Sequence, residues 1–253
     1  MPLLSANGVQ LHTQTLGHGP PVFMLHGLLT GSLATWYFTA GPVLARTRHV
    51  HLYDLRGHGR SERTTHGYDC QTMVADLKSL VDQSASQVID LVGHSYGALI
   101  ALHFALMYPT QVRRLVLVEL PLPPSRIDDV QTFLKQTPHE MVQALPKSLQ
   151  DVMGLQGRGR RARRFLESIQ FLTQSSSLLN DLRQEPDVPD AVLQQIRCPV
   201  LGLFGRESIC AQVGERLHAT VPNFTHHRLD GGHYLPLDAG TDVSRALVEF
   251  LDG

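Results

Sequence analysis

A serine hydroxyl becomes a nucleophile when a base takes its proton and a rigid turn exposes its oxygen. The segment Gly93-His94-Ser95-Tyr96-Gly97 offers such a turn: an apolar run over 87–92 leads into it and a helical pattern over 98–108 leads out. Strand, sharp turn and helix are the context in which a G-x-S-x-G sequence presents its serine at the top of a sheet. A base must then reach Ser95. The segment Asp230-Gly231-Gly232-His233-Tyr234 follows the last strand-like run, so His233 sits on a loop at the same sheet edge and is the expected general base. The developing oxyanion needs two fixed N–H donors. Those expected are the amides of Tyr96, next to the nucleophile, and of Leu28, in the loop Leu25-His26-Gly27-Leu28 at the end of a buried run. His26 is expected to shape that loop and not to act as the base.

These segments must be brought together by the elements between them. Short β-branched or apolar runs at 9–15, 22–25, 49–53, 87–92, 112–118, 199–204 and 225–229 alternate with helical periodicity. That alternation predicts an α/β fold, a mostly parallel eight-stranded-type sheet with helices on both faces. Between residues 121 and 195 the strand signal stops, and prolines separate amphipathic helical stretches. The expected organisation is a core of residues 1–120 and 196–253 with a helical cap, 121–195, inserted between two strands.

His26-Gly27, Asp54-Leu55-Arg56-Gly57-His58-Gly59-Arg60-Ser61, the elbow and Gly232-His233 together resemble the α/β-hydrolase superfamily. The resemblance implies a Ser-His-acid triad and makes Asp54, Arg56 and Ser61 scaffold. It also implies an Asp three residues after the glycine that ends the first strand beyond the cap. Here the segment is Phe204-Gly205-Arg206-Glu207-Ser208, and that slot holds Ser208. Two acids remain. Glu207 is one position early, where neighbouring loop side chains point differently. Glu119 ends the apolar run Leu115-Val116-Leu117-Val118, and a carboxylate at the end of a buried strand needs a partner. His233 would be that partner, so the expected triad is Ser95, His233 and Glu119, with Glu207 as the alternative acid. Some branches of the superfamily, certain polyketide thioesterases among them, carry a Glu after this strand. The competing role for Glu119 is an ion pair with Arg126.

The expected reaction is hydrolysis of a carboxylic ester or thioester through an acyl-enzyme, with no cofactor. Dehalogenase and epoxide-hydrolase relatives use an aspartate nucleophile, which a serine elbow disfavours. C–C bond hydrolysis or a lyase reaction on the same scaffold is the alternative, as is a ligand-binding homologue without catalysis. Leu28, Leu29, Trp36 and Tyr96 suggest an acyl pocket, with Tyr96 foremost in lining it. The stretch Gly157–Arg164 holds five arginines in eight residues. Its plain role is a solvated face; the sharper one has Arg160, Arg161 and Arg164 dock a substrate phosphate, as coenzyme A or an acyl carrier protein would present.

Composition limits the remaining classes. A net charge of −1 over 253 residues gives no reason to seek nucleic acid or anionic membrane, and no run is long and apolar enough to span a bilayer. Three separated cysteines suggest neither disulfides nor zinc, and fourteen histidines show no His-x-x-x-His spacing, so no metal is expected. The N-terminus lacks a basic and apolar leader, which predicts a cytoplasmic protein.

Overall fold

The structure is a computed structural model that describes residues 2–123, 136–145, 147–152, 155 and 159–253. Eight strands form one sheet in the order β1-β2-β4-β3-β5-β6-β7-β8. They are β1 (Leu3–Ala6), β2 (Val9–Leu16), β3 (Pro21–Leu25), β4 (His49–Tyr53), β5 (Ile89–His94), β6 (Val112–Val118), β7 (Val200–Gly205) and β8 (Phe224–Leu229). From β4 to β8 every pairing is parallel, whereas β1 and β2 join antiparallel at one edge. The strand missing from the sequence reading is β1. It is four residues long and mostly exposed, so it displays no alternation, yet Asn7 and Gly8 after it adopt φ of 48° and 79°, the Asn-Gly hairpin turn.

Successive strand residues serve two cores, as a parallel sheet buried on both faces requires. Phe23, Leu25, Leu91, Leu115 and Leu117 meet α3 (Cys70–Gln83), α4 (Tyr96–Met107) and α10 (Ala211–Thr220) on one face. Val22, Met24, Val92, Val116 and Val118 meet α1 (Ala34–Tyr37), α2 (Ala40–Leu44) and α12 (Gly240–Asp252) on the other. Between β6 and β7 lie α5 (Pro138–Ala144), α6 (Lys147–Val152), α7 (Arg160–Gln174), α8 (Leu178–Gln184) and α9 (Asp190–Leu193). A capping box of Thr137 and Glu140 starts α5. The short helix α11 (Leu235–Asp238) follows β8, and α6 lies against it. Among the described residues no helix is long and apolar enough to cross a membrane.

Candidate active site

Ser95 follows β5 and precedes α4 with φ 55° and ψ −126°, a left-handed conformation that is strained by about 1–3 kcal/mol for a non-glycine residue. The fold holds it there: Ser95 donates its N–H to Val118 O at 2.9 Å, and its own carbonyl accepts from Ala98 N at 2.8 Å. Glycine is required on both sides. A Cβ at Gly93 would collide with the Gly97 carbonyl, and one at Gly97 with the His26 carbonyl.

His233 Nε2 lies 2.9 Å from Ser95 Oγ, and His233 Nδ1 lies 3.2 Å from Glu119 Oε2. The acid expected from the strand end is thus beside the imidazole. Glu119 is 0% exposed and carries φ 56°; its N–H continues the ladder to Leu203 O at 2.9 Å. Oε1 accepts from Gly205 N, and Oε2 accepts from Ser208 Oγ, so the buried carboxylate is satisfied by donors on the next strand end. Ser208 occupies the slot where the resemblance implies an aspartate, and here it hydrogen-bonds Glu119 on the neighbouring strand end. Its Oγ also accepts from Cys210 N at 2.9 Å. Glu207 is exposed and makes no side-chain hydrogen bond to His233. Arg126 lies outside the described residues.

Two further histidines fix the loops. His94 donates from Nε2 to the His233 carbonyl at 2.8 Å, which pins His233 from behind. His58 donates from Nδ1 to Arg56 O at 2.8 Å and accepts from Leu29 N at 2.9 Å, which holds Leu29 at φ 63° beside the expected oxyanion donor. Burial, with a smaller contribution from a neighbouring imidazole, pushes both rings down to about 3. His26 is fully buried and bonded at both nitrogens, to Gly27 O and Leu55 N, and its pKa is lowered by burial. It is a scaffold residue and does not reach Ser95. Asp54 anchors the same loop, accepting from Leu33 N at 2.7 Å, from Arg60 N at 2.9 Å and from His12 Nδ1 at 2.7 Å.

A cleft of ≈ 420 Å³, its open mouth included, lies over Ser95 and His233, with Leu28, Thr30, Tyr234 and Leu237 among its walls. Leu28 is therefore at the site. The Tyr96 amide is the first of α4, where helix geometry leaves it without an intrahelical partner. The Tyr96 ring corrects the sequence reading. It lies in the core, with its hydroxyl donating to Tyr68 O at 3.1 Å, because the first turn of α4 directs it beneath the sheet edge and away from the cleft. Trp36 is likewise core, donating to Leu25 O at 2.9 Å, and Leu29 packs on the core. Tyr234 and Thr30 also line the cleft, and no motif singles them out; Tyr234 directly follows His233.

Arg160, Arg161, Arg163 and Arg164 are exposed in the first turns of α7; Arg158 lies outside the described residues. Arg163 pairs with Glu167 at 2.9 Å. On the buried side of the same helix, Ala162 joins Leu145, Leu155 and Phe165 in a small apolar cluster that also takes in Tyr234 and Leu237 of the cleft. The arginines thus share a helix with the cleft rim.

A doubly wound sheet with a serine at a strained strand-to-helix turn, a histidine after the last strand and a buried acid between them defines a class. The chain belongs to the α/β hydrolase fold family, whose model matches residues 20–182. It is 37% identical over 120 residues to 2-hydroxy-6-oxo-2,4-heptadienoate hydrolase of Pseudomonas putida, a match covering 46% of this chain and 43% of that protein. It is 34% identical over 116 residues to a soluble epoxide hydrolase of Corynebacterium, covering 45% and 39%. The chain thus aligns with less than half the length of these curated relatives. Its fold is shared end to end with the enol-lactonase of Burkholderia xenovorans, at a TM-score of 0.78, 19% identity and 100% coverage of both chains.

Proposed function

We propose that the protein is a serine hydrolase that cleaves a carboxylic ester or thioester. The observation that carries this reading is the continuous chain from Ser95 Oγ through His233 to buried Glu119, at 2.9 and 3.2 Å, beneath an open cleft. Ser95 Oγ attacks the substrate carbonyl while His233 Nε2 takes its proton. Glu119 holds the imidazole in the Nδ1–H tautomer and stabilises the imidazolium. The Leu28 and Tyr96 amides receive the oxyanion. Collapse expels the alcohol or thiol, which leaves with the proton from His233, and water activated by the same imidazole then releases the acid and frees Ser95. A serine at the elbow argues against the reaction of the epoxide-hydrolase relative, for which the resemblance implies an aspartate.

In this reading residues 121–195 form a cap that selects the substrate. The meeting of α6 and α7 residues with the cleft walls supports it. Arg160, Arg161 and Arg164 then dock a phosphate carried by the leaving group, as in coenzyme A or an acyl carrier protein, since guanidinium pairs bidentately with phosphate oxygens. Replacing the three by Ala is expected to raise KM for such thioesters and leave a p-nitrophenyl ester unaffected; equal effects on both would remove the docking role. Three free, buried cysteines suit a reducing, cytoplasmic setting.

The similarity to the Pseudomonas hydrolase favours a second reading, hydrolysis of an enol-keto acid by the same serine. A fluorophosphonate probe tests the common premise: wild type is labelled at Ser95 and Ser95→Ala is not. No labelling of folded wild type would favour a ligand-binding role. Turnover of an acyl thioester against that of a 2-hydroxy-6-oxo-dienoate separates the two substrate readings.

A further inference from the structure

A second cluster of metal-ligating side chains lies apart from the triad, on the opposite side of Tyr96. Cys70 opens α3, His103 lies in α4 and Glu185 caps the end of α8. One ligand atom from each falls within 4.8 Å of the other two. The donors now present are few and long. Glu185 Oε2 accepts from Cys70 N and from the Tyr96 hydroxyl, each at 3.3 Å, and His103 Nε2 is buried with no hydrogen-bond partner. A buried imidazole nitrogen without a partner needs an explanation.

We infer that Cys70, His103 and Glu185 form a binding site for a divalent transition-metal ion, zinc or cobalt in class, separate from the catalytic centre. Sulfur, imidazole nitrogen and carboxylate oxygen make a borderline-soft donor set suited to such an ion. Tetrahedral ligands at about 2.0–2.3 Å from a metal stand roughly 3.5 Å apart, so side-chain rotation of about an ångström closes the set. On binding, the Cys70 thiol releases its proton to solvent; thiolate, carboxylate and neutral imidazole then carry two negative charges, which the ion balances. A water or the Tyr96 hydroxyl is available for a fourth position. The ion ties the end of α8, from the segment between β6 and β7, to α3 and to the helix that begins beside Ser95. This site does not depend on the hydrolase reading. Spacing rules could not find it, because its ligands come from three distant segments.

The test is cobalt(II) titration of EDTA-treated protein, followed by absorbance and thermal melting. Glu119, Cys210 and His233 form another Cys-His-Glu set, so His233→Ala is titrated in parallel. The expected result is one equivalent bound with a thiolate-to-cobalt charge-transfer band and a raised Tm, in wild type and in His233→Ala alike. Cys70→Ser abolishes the band, and Glu185→Gln weakens binding by at least about tenfold, with circular dichroism showing each variant folded. Absence of binding by folded wild type overturns the inference. So does a band that survives Cys70→Ser or disappears in His233→Ala.

Discussion

Glu119→Gln is the sharpest test of the triad. The substitution preserves shape in a site with no solvent exposure and removes only the charge facing His233 Nδ1 at 3.2 Å. A unit charge about 4 Å from the centre of the imidazolium is worth about 4 kcal/mol at an effective dielectric of 20, equivalent to about 10³ in rate. The amide also imposes a conflict of donors: its oxygen is drawn to Gly205 N, which leaves its NH₂ facing Nδ1 and favours the wrong tautomer, an effect of about 10⁴ in a comparable triad. The expected loss in kcat is therefore ~10³–10⁴-fold with KM nearly unchanged, measured with a p-nitrophenyl ester after confirming fold and melting temperature. Glu207→Gln, altering an exposed side chain, leaves kcat within about twofold. A second arm returns the acid to the other strand end. Ser208 Oγ touches Glu119 Oε2, so in Glu119→Ala/Ser208→Asp the new carboxylate fills the space facing Nδ1, and kcat rises at least about tenfold over Glu119→Ala alone. Less than tenfold loss in Glu119→Gln, or collapse of activity in Glu207→Gln, would refute the assignment.

Ser208→Ala removes a donor from Glu119 and an acceptor from Cys210 N; urea unfolding is expected to show a loss of about 1–3 kcal/mol, and ester assays a kcat lower by about tenfold. Stability is expected to fall on acidification. His58 and His94 are held neutral to about 3, whereas the unfolded chain protonates them near 6.5, so the unfolded state binds the extra protons below that value. Their stabilisation is complete above pH 6.5 and is lost as pH drops toward 3, by about 2 kcal/mol per ring at pH 5; His58→Gln should flatten the pH–Tm curve by one proton's worth, and an unchanged slope would contradict the assignment. Arg216 donates to Pro123 O at 2.8 Å, to Val188 O at 2.7 Å and to Asp187 at 2.9 Å, clasping both ends of the segment between β6 and β7. Arg216→Gln is expected to speed limited proteolysis between residues 124 and 187 while the sheet core resists, detected by mass spectrometry of the fragments.

What was legible in the sequence was local. The elbow, Gly232-His233 and the Asp54–Ser61 turn each concentrate their constraint in a few adjacent residues, where glycine spacing records a backbone that must turn sharply. The place of Glu119 beside His233 was legible for a different reason, the free energy of leaving a carboxylate alone at the end of a buried strand. Long-range contacts beyond those of His233 with Ser95 and Glu119 were not legible. His94 serves His233 across 139 positions of sequence, and His58 serves Leu29 across 29; no motif records such partners. Only the Tyr96 ring was misplaced: its neighbour Ser95 faces the cleft, while the first turn of the helix rotates the next side chain into the core.

The sheet register explains how the acid can stand on β6. Val118 pairs with Leu203, and the ladder runs one bond further, from Glu119 N to Leu203 O. The ends of β6 and β7 are therefore held side by side beneath His233, and either can deliver a carboxylate to the same imidazole nitrogen. Placing the acid at Glu119 has a mechanical consequence. Leu120 and Leu122 are buried directly after it, and Pro123 is held by Arg216, so the chain is anchored for four residues before it enters the segment described from residue 136. The other end returns at Glu185, Asp187 and Val188, where Arg216 again holds the backbone. The described ends of the segment are thus fixed to the core by burial and by Arg216, and Glu119 stands on the core side of the first of them.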